Sequence, residues 1–143
     1  MEQLSNVEIA QRAVDRLRAS FPDLTIQLDE VQGGELFWSI PEQAGVASPI
    51  ALSLQNSDEL TFDVRCFTLT CFPCAKVSEE YLDAVIGYLS GKYRLYEHYR
   101  GSKCVKAELQ KPLDGGWKTI SAWSRLALPF PWTKTYREFY NRS

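Results

Sequence analysis

The sequence predicts an α+β fold built on a mostly antiparallel sheet of about seven strands, in the order α-β-β-β-β-α-β-β-β, with two helices on one face and an irregular aromatic tail. Three observations predict it. Apolar residues recur at helical spacing in two segments, they alternate with polar residues in seven others, and short turns join most of the strand-like runs. Such turns favour antiparallel pairing, because a parallel pair needs a crossover of a dozen or more residues. At 143 residues the chain has an ordinary length for one domain, so residues 1–143 are read as a single unit.

Ser5 and Glu8 form an S-x-x-E capping box, and Ala10, Ala13, Val14, Leu17 and Phe21 follow at helical spacing until Pro22 ends the run. From Leu24 the period becomes two, and Gly33-Gly34 turns the chain into Leu36–Ile40, which predicts a hairpin. Pro41 to Pro49 has no period and reads as a surface loop. Ile50, Leu52 and Leu54, a turn at Asn56-Ser57-Asp58, and Leu60, Phe62 and Val64 predict a second hairpin. Beyond Arg65 the apolar parity slips to Phe67 and Leu69, as a β-bulge near Cys66-Phe67 would produce.

Ser78 is the expected N-cap of the second helix, with Glu79, Glu80 and Asp83 near its start and Leu82, Val85, Ile86 and Leu89 on one face as far as Gly91. Tyr93–Arg100, Lys103–Gln110 and Trp117–Leu126 then read as a three-stranded meander. The tail holds Leu128-Pro129-Phe130-Pro131-Trp132, which suits neither a helix nor a central strand, and Thr135–Asn141 is read as a last short helix.

Composition narrows the function by exclusion. Eighteen acidic residues against sixteen basic ones give a net charge of -2, so no global field attracts nucleic acid, and no apolar run has the roughly 20 residues that span a bilayer. The start of the chain lacks the basic and apolar regions of a signal peptide, so a cytoplasmic location and reduced thiols at Cys66, Cys71, Cys74 and Cys104 are expected. The phosphate-binding, nucleophile-elbow, zinc-protease and dinucleotide motifs are absent from the sequence.

Cys71-Phe72-Pro73-Cys74 has the C-x-x-C spacing that lets two sulfurs bond, and the tetrapeptide resembles the active site of the thioredoxin family over those four residues. That family places a βαβ unit ahead of the motif, where hairpins are expected here. Thiol redox activity at Cys71 and Cys74 is therefore a minor alternative. One C-x-x-C with no second close pair makes half a zinc site at most, so neither a metal nor a cofactor is expected.

Alternation places Tyr96, His98 and Arg100 on one strand face, suited to binding an anion or moving a proton. Trp117 and Trp123 share a parity and could floor a groove, and Trp132 and Tyr136 in the tail could form an adhesive patch. Ten basic residues, Arg94 to Arg142, fall in the last third, a bias that suits an acidic partner. Tyr96, His98, Arg100, Trp117, Trp123, Trp132 and Tyr136 are the seven residues of the candidate binding site. The expected function is a non-enzymatic interaction domain for another protein, of the bacterial toxin-neutralising (immunity) or chaperone type. The alternative is a small-molecule binder or enzyme with a pocket between helices and sheet, lined by His98, Tyr96, Arg100 or Cys71.

Overall fold

A computed structural model describes residues 5–31, 35–55, 58–72, 75–125 and 134–141. The chain runs through helix α1 (Asn6–Ser20), strands β1 (Gln27–Val31), β2 (Glu35–Ile40), β3 (Ile50–Gln55), β4 (Glu59–Val64) and β5 (Phe67–Cys71), helix α2 (Ala75–Leu89), and strands β6 (Arg94–Arg100), β7 (Lys103–Leu113), β8 (Gly116–Ser124) and β9 (Lys134–Tyr140). The α+β class and the antiparallel pairing hold. Among the described residues the seven strand-like runs give eight strands, since the fourth run divides into β4 and β5, and the segment read as a last helix gives β9; the strands form two sheets, β1-β2-β3-β4-β5 and β8-β7-β6-β9.

Helix α1 starts where the capping box places it. The Ser5 Oγ accepts the Glu8 N–H at 3.2 Å, and Ala10, Ala13, Val14 and Leu17 are buried. In the first sheet, the cross-strand register aligns Trp38, Leu52, Phe62 and Leu69 on one face. Phe62 meets Phe67 and Tyr88 edge to face, each with ring centroids 5.9 Å apart. Buried residues of both helices and both sheets belong to one hydrophobic cluster.

The parity slip after Arg65 has a different cause from the bulge expected there. Val64 pairs with Phe67, so Arg65 and Cys66 form a two-residue reversal in which Arg65 takes the left-handed conformation at φ 53°. A bulge and a two-residue hairpin both shift the apolar parity by one, which is why the sequence alone does not separate them. Helix α2 begins at Ala75, about one turn ahead of the Ser78 start expected from its capping chemistry.

The tail departs most from expectation. Thr135–Asn141 is not a helix: β9 pairs along the whole of β6, from Arg94↔Tyr140 to Arg100↔Lys134. Threonine, tyrosine and phenylalanine favour the extended chain, and β6 offers an edge to pair with. The sheet thus takes the 4-1-2-3 strand order of a Greek key. Asn141 locks its end, since its Nδ2 donates to the carbonyls of Leu89 (3.0 Å) and Gly45 (2.8 Å) while its Oδ1 accepts from Ala47 N–H (2.9 Å).

The reduced state expected for Cys66 and Cys104 is overturned, because the two form a disulfide with Cα atoms 6.7 Å apart. Sequence separation hid this pairing: the β4–β5 turn carries Cys66 onto the inner face of the second sheet, next to Cys104 on β7. The same turn brings the Arg65 guanidinium to both carboxylate oxygens of Glu97, each at 3.0 Å, and over the Phe139 ring. The bridge also removes the thiol argument for a reducing compartment.

Candidate interaction face

Alternation along β6 divides its side chains between the two faces of the second sheet. Leu95 and Glu97 point inward and are fully buried, whereas Arg94, Tyr96, His98 and Arg100 share the outer face. The register adds Lys106, Glu108 and Gln110 from β7 and Lys134, Tyr136, Glu138 and Tyr140 from β9. Of the seven residues expected to bind, Tyr96, His98, Arg100, Trp117 and Tyr136 come together here.

Trp123 does not join them. The register passes from Leu109↔Ser121 to Gln110↔Thr119, so Ile120 is an extra residue on β8. That bulge flips the parity between Trp117 and Trp123. Trp117 lies outward at 38 % exposure, while Trp123 packs against the hydrophobic cluster. The shared groove floor expected of the two tryptophans is thereby corrected. Trp132 and Cys74 lie outside the described residues.

Three rings form the centre of the face. Tyr96 stacks on Tyr136 with centroids 5.7 Å apart, and His98 stands edge-on to both, at 5.1 Å and 5.0 Å. Tyr136 is 54 % exposed. Arg94, which sequence reasoning placed only among the general basic bias, organises the neighbouring end. Its Nε donates to the Gln110 side chain at 2.8 Å, its Nη1 pairs with Glu138 at 3.1 Å, and its guanidinium lies 4.2 Å over the Trp117 ring and 5.2 Å from the Tyr96 ring. Extending the Tyr96-His98-Arg100 alternation one step back would have found it.

His98 Nε2 donates to the Glu108 carboxylate at 2.6 Å, and the Thr119 hydroxyl donates to the other oxygen at 2.9 Å. Burial opposes ionisation of Glu108, but these two hydrogen bonds and the charge of Lys106 outweigh it, so its pKa lies below the ordinary carboxylate value. Glu108 orients the ring of His98, which sits among Tyr96, Tyr136 and Glu108. This arrangement fixes an aromatic surface, and the three neighbours named include neither serine nor cysteine.

Two cavities separate the residues that the pocket alternative had grouped. One of 580 Å³ lies between α2, β5 and β8 and is lined by Cys71, Leu69, Tyr81, Ala84, Ile120 and the acids Glu79, Glu80 and Asp83. The other, of 210 Å³, opens on the outer face and is lined by His98, Arg100, Lys106, Lys134 and Tyr136. Tyr96 lines neither of these two.

On the inner face, Cys66, Cys104 and Glu97 place two sulfurs and a carboxylate oxygen within 4.8 Å of one another. Both sulfurs are bonded to each other and both Glu97 oxygens face Arg65, so the donors are engaged within the protein. The β5 strand leading to Cys71 is antiparallel to β4, unlike the parallel βαβ setting of a thioredoxin site. No helix among the described residues is long and apolar enough to cross a membrane. No protein-family model, curated protein or solved structure matches the chain.

Proposed function

We propose that the chain is a non-enzymatic interaction domain that captures another protein on the outer face of its four-stranded sheet. The observation that carries the reading is the Tyr96, His98 and Tyr136 cluster beside Trp117, held in place by cross-strand contacts, with Tyr136 and Trp117 exposed and Tyr96 and His98 half-buried. Aromatic side chains fixed before binding lose little rotamer freedom on association and bury large areas, which is the character of interface hot spots. A bacterial toxin-neutralising or chaperone-type role is the class we adopt, by analogy with small acidic α+β proteins that act by binding.

The test is substitution on the open face. Trp117→Ala and Tyr136→Ala should keep the native circular dichroism spectrum and weaken capture of the partner from the source cell by at least about tenfold, or ~1.4 kcal/mol. Undiminished capture by both variants contradicts the reading.

The 580 Å³ cavity supports a second reading, a small-molecule site. Its acidic rim of Glu79, Glu80 and Asp83 would select a cationic ligand. A melting-temperature screen of amine metabolites tests it, since a ligand that binds only the native state raises that temperature. Thiol redox activity at Cys71 and Cys74 is a third, minor reading. Thiol titration of the Cys66→Ala/Cys104→Ala variant before and after addition of a dithiol tests it, since a gain of two thiols then reports on Cys71 and Cys74 alone.

A further inference from the structure

We propose that the 210 Å³ cleft at the Arg100 end of this face is an anion site that receives carboxylate side chains from an acidic segment of the partner protein. The inference rests on the interaction reading above and adds the chemistry of the partner.

The argument begins with the register. Arg100 on β6 lies directly opposite Lys103 on β7 and directly opposite Lys134 on β9, so three cations occupy adjacent positions across three strands. Lys106, opposite His98, adds a fourth. Like charges placed directly across a sheet destabilise it. Among the described residues, Arg100, Lys103 and Lys134 have no carboxylate in ion-pair contact, and Lys106 reaches Glu108 only at 4.0 Å. Elsewhere on the same face Arg94 is paired with Glu138 and His98 with Glu108. On this face the cations of the Arg100 end are therefore the ones left without close compensation, and that end has the cleft.

Charge complementarity selects the occupant. Arg100 offers a planar fork that matches a carboxylate, and the lysines offer point charges beside it. The cleft shares His98 and Tyr136 with the aromatic cluster, so a chain seated on the rings would deliver its acidic side chains there. A nucleic-acid backbone fits less well. Glu108 and Glu138 lie on the same face, and the cations cover one end instead of forming a track along it.

The experiment titrates the full-length protein, uniformly labelled with 15N, with a capped hexaglutamate peptide. The parallel arms are capped hexaglutamine, inorganic phosphate and a single-stranded DNA 12-mer. The proposal predicts saturable shifts at residues 98–106 and 134–136 with hexaglutamate, no saturation with hexaglutamine or phosphate, and at least about tenfold weaker hexaglutamate binding by the Arg100→Gln/Lys134→Gln double variant. The Arg12→Gln/Arg16→Gln control removes the same charge from the exposed side of α1 and should bind as wild type does. Lack of saturation by hexaglutamate up to about 5 mM, equal weakening by both double variants, or tighter binding of phosphate or DNA overturns the proposal. An independent readout is stability, because relief of like-charge repulsion should raise the melting temperature of ligand-free Lys134→Gln, whereas a fall overturns the repulsion argument. If hexaglutamate fails while partner capture still depends on Trp117 and Tyr136, the anion site falls and the interaction face stands.

Discussion

Tyr88 on α2 is fully buried, its ring meets Phe62, and its hydroxyl has no hydrogen-bond partner among the described residues. Burial accordingly pushes its pKa above the ordinary tyrosine value. A buried hydroxyl without a partner costs the free energy of removing it from water, so Tyr88→Phe should stabilise the fold by about 1 kcal/mol in urea unfolding. A loss of stability would mean that the hydroxyl holds a buried water. Glu108 carries the opposite lesson, since its neighbours favour its charged form. Because its folded-state pKa is depressed, its stabilising contribution is complete above the unfolded value, near 4.5, and is lost as the pH falls through the folded value. Wild type should therefore exceed Glu108→Gln in urea midpoint at neutral pH, and the difference should shrink on acidification below about pH 4.5. A difference independent of pH would assign the effect to packing.

Among the elements, β9 depends on a single residue beyond its last pair. Asn141→Ala leaves the carbonyls of Leu89 and Gly45 and the N–H of Ala47 without their partner, at a cost of about 2 kcal/mol, and should speed amide exchange along β9 more than along β3. Uniform exchange would show that the pairing with β6 holds the strand by itself. The same strand marks the limit of what sequence reveals. Helix α1 and the strands β2, β3, β4, β6 and β7 were legible because each has a buried side that imposes its own period. In β9 the outward residues Tyr136 and Tyr140 are aromatic like the inward Phe139, and inward Arg137 is charged, so alternation of polarity is blurred and the aromatic run reads as a tail. On β8 one extra residue at Ile120 reversed the assignment of Trp123, and such a bulge leaves no mark in a strand exposed on its outer side. The site residues on β6 were legible from alternation alone. Their partners Glu138 and Lys134 were not, since they depend on which edge β9 joins.

Across the whole molecule, the β4–β5 turn fastens one sheet to the other through the Cys66–Cys104 bridge, the Arg65–Glu97 ion pair and the contact of Arg65 with Phe139. The bridge spans 38 positions of sequence, so removing it with Cys66→Ala should cost roughly 2–4 kcal/mol, read from denaturant unfolding of the oxidised protein. An unchanged midpoint would show that the ion pair and core suffice. This clasp fixes the inner face of the second sheet, and the outer face, with Tyr96, Trp117 and Tyr136, is the surface proposed to meet a partner. Cross-saturation NMR of the full-length chain bound to its captured partner examines that claim most directly. The account predicts transfer centred on Tyr96, His98, Trp117 and Tyr136; transfer confined to the cavity around Cys71 and Tyr81 would contradict it.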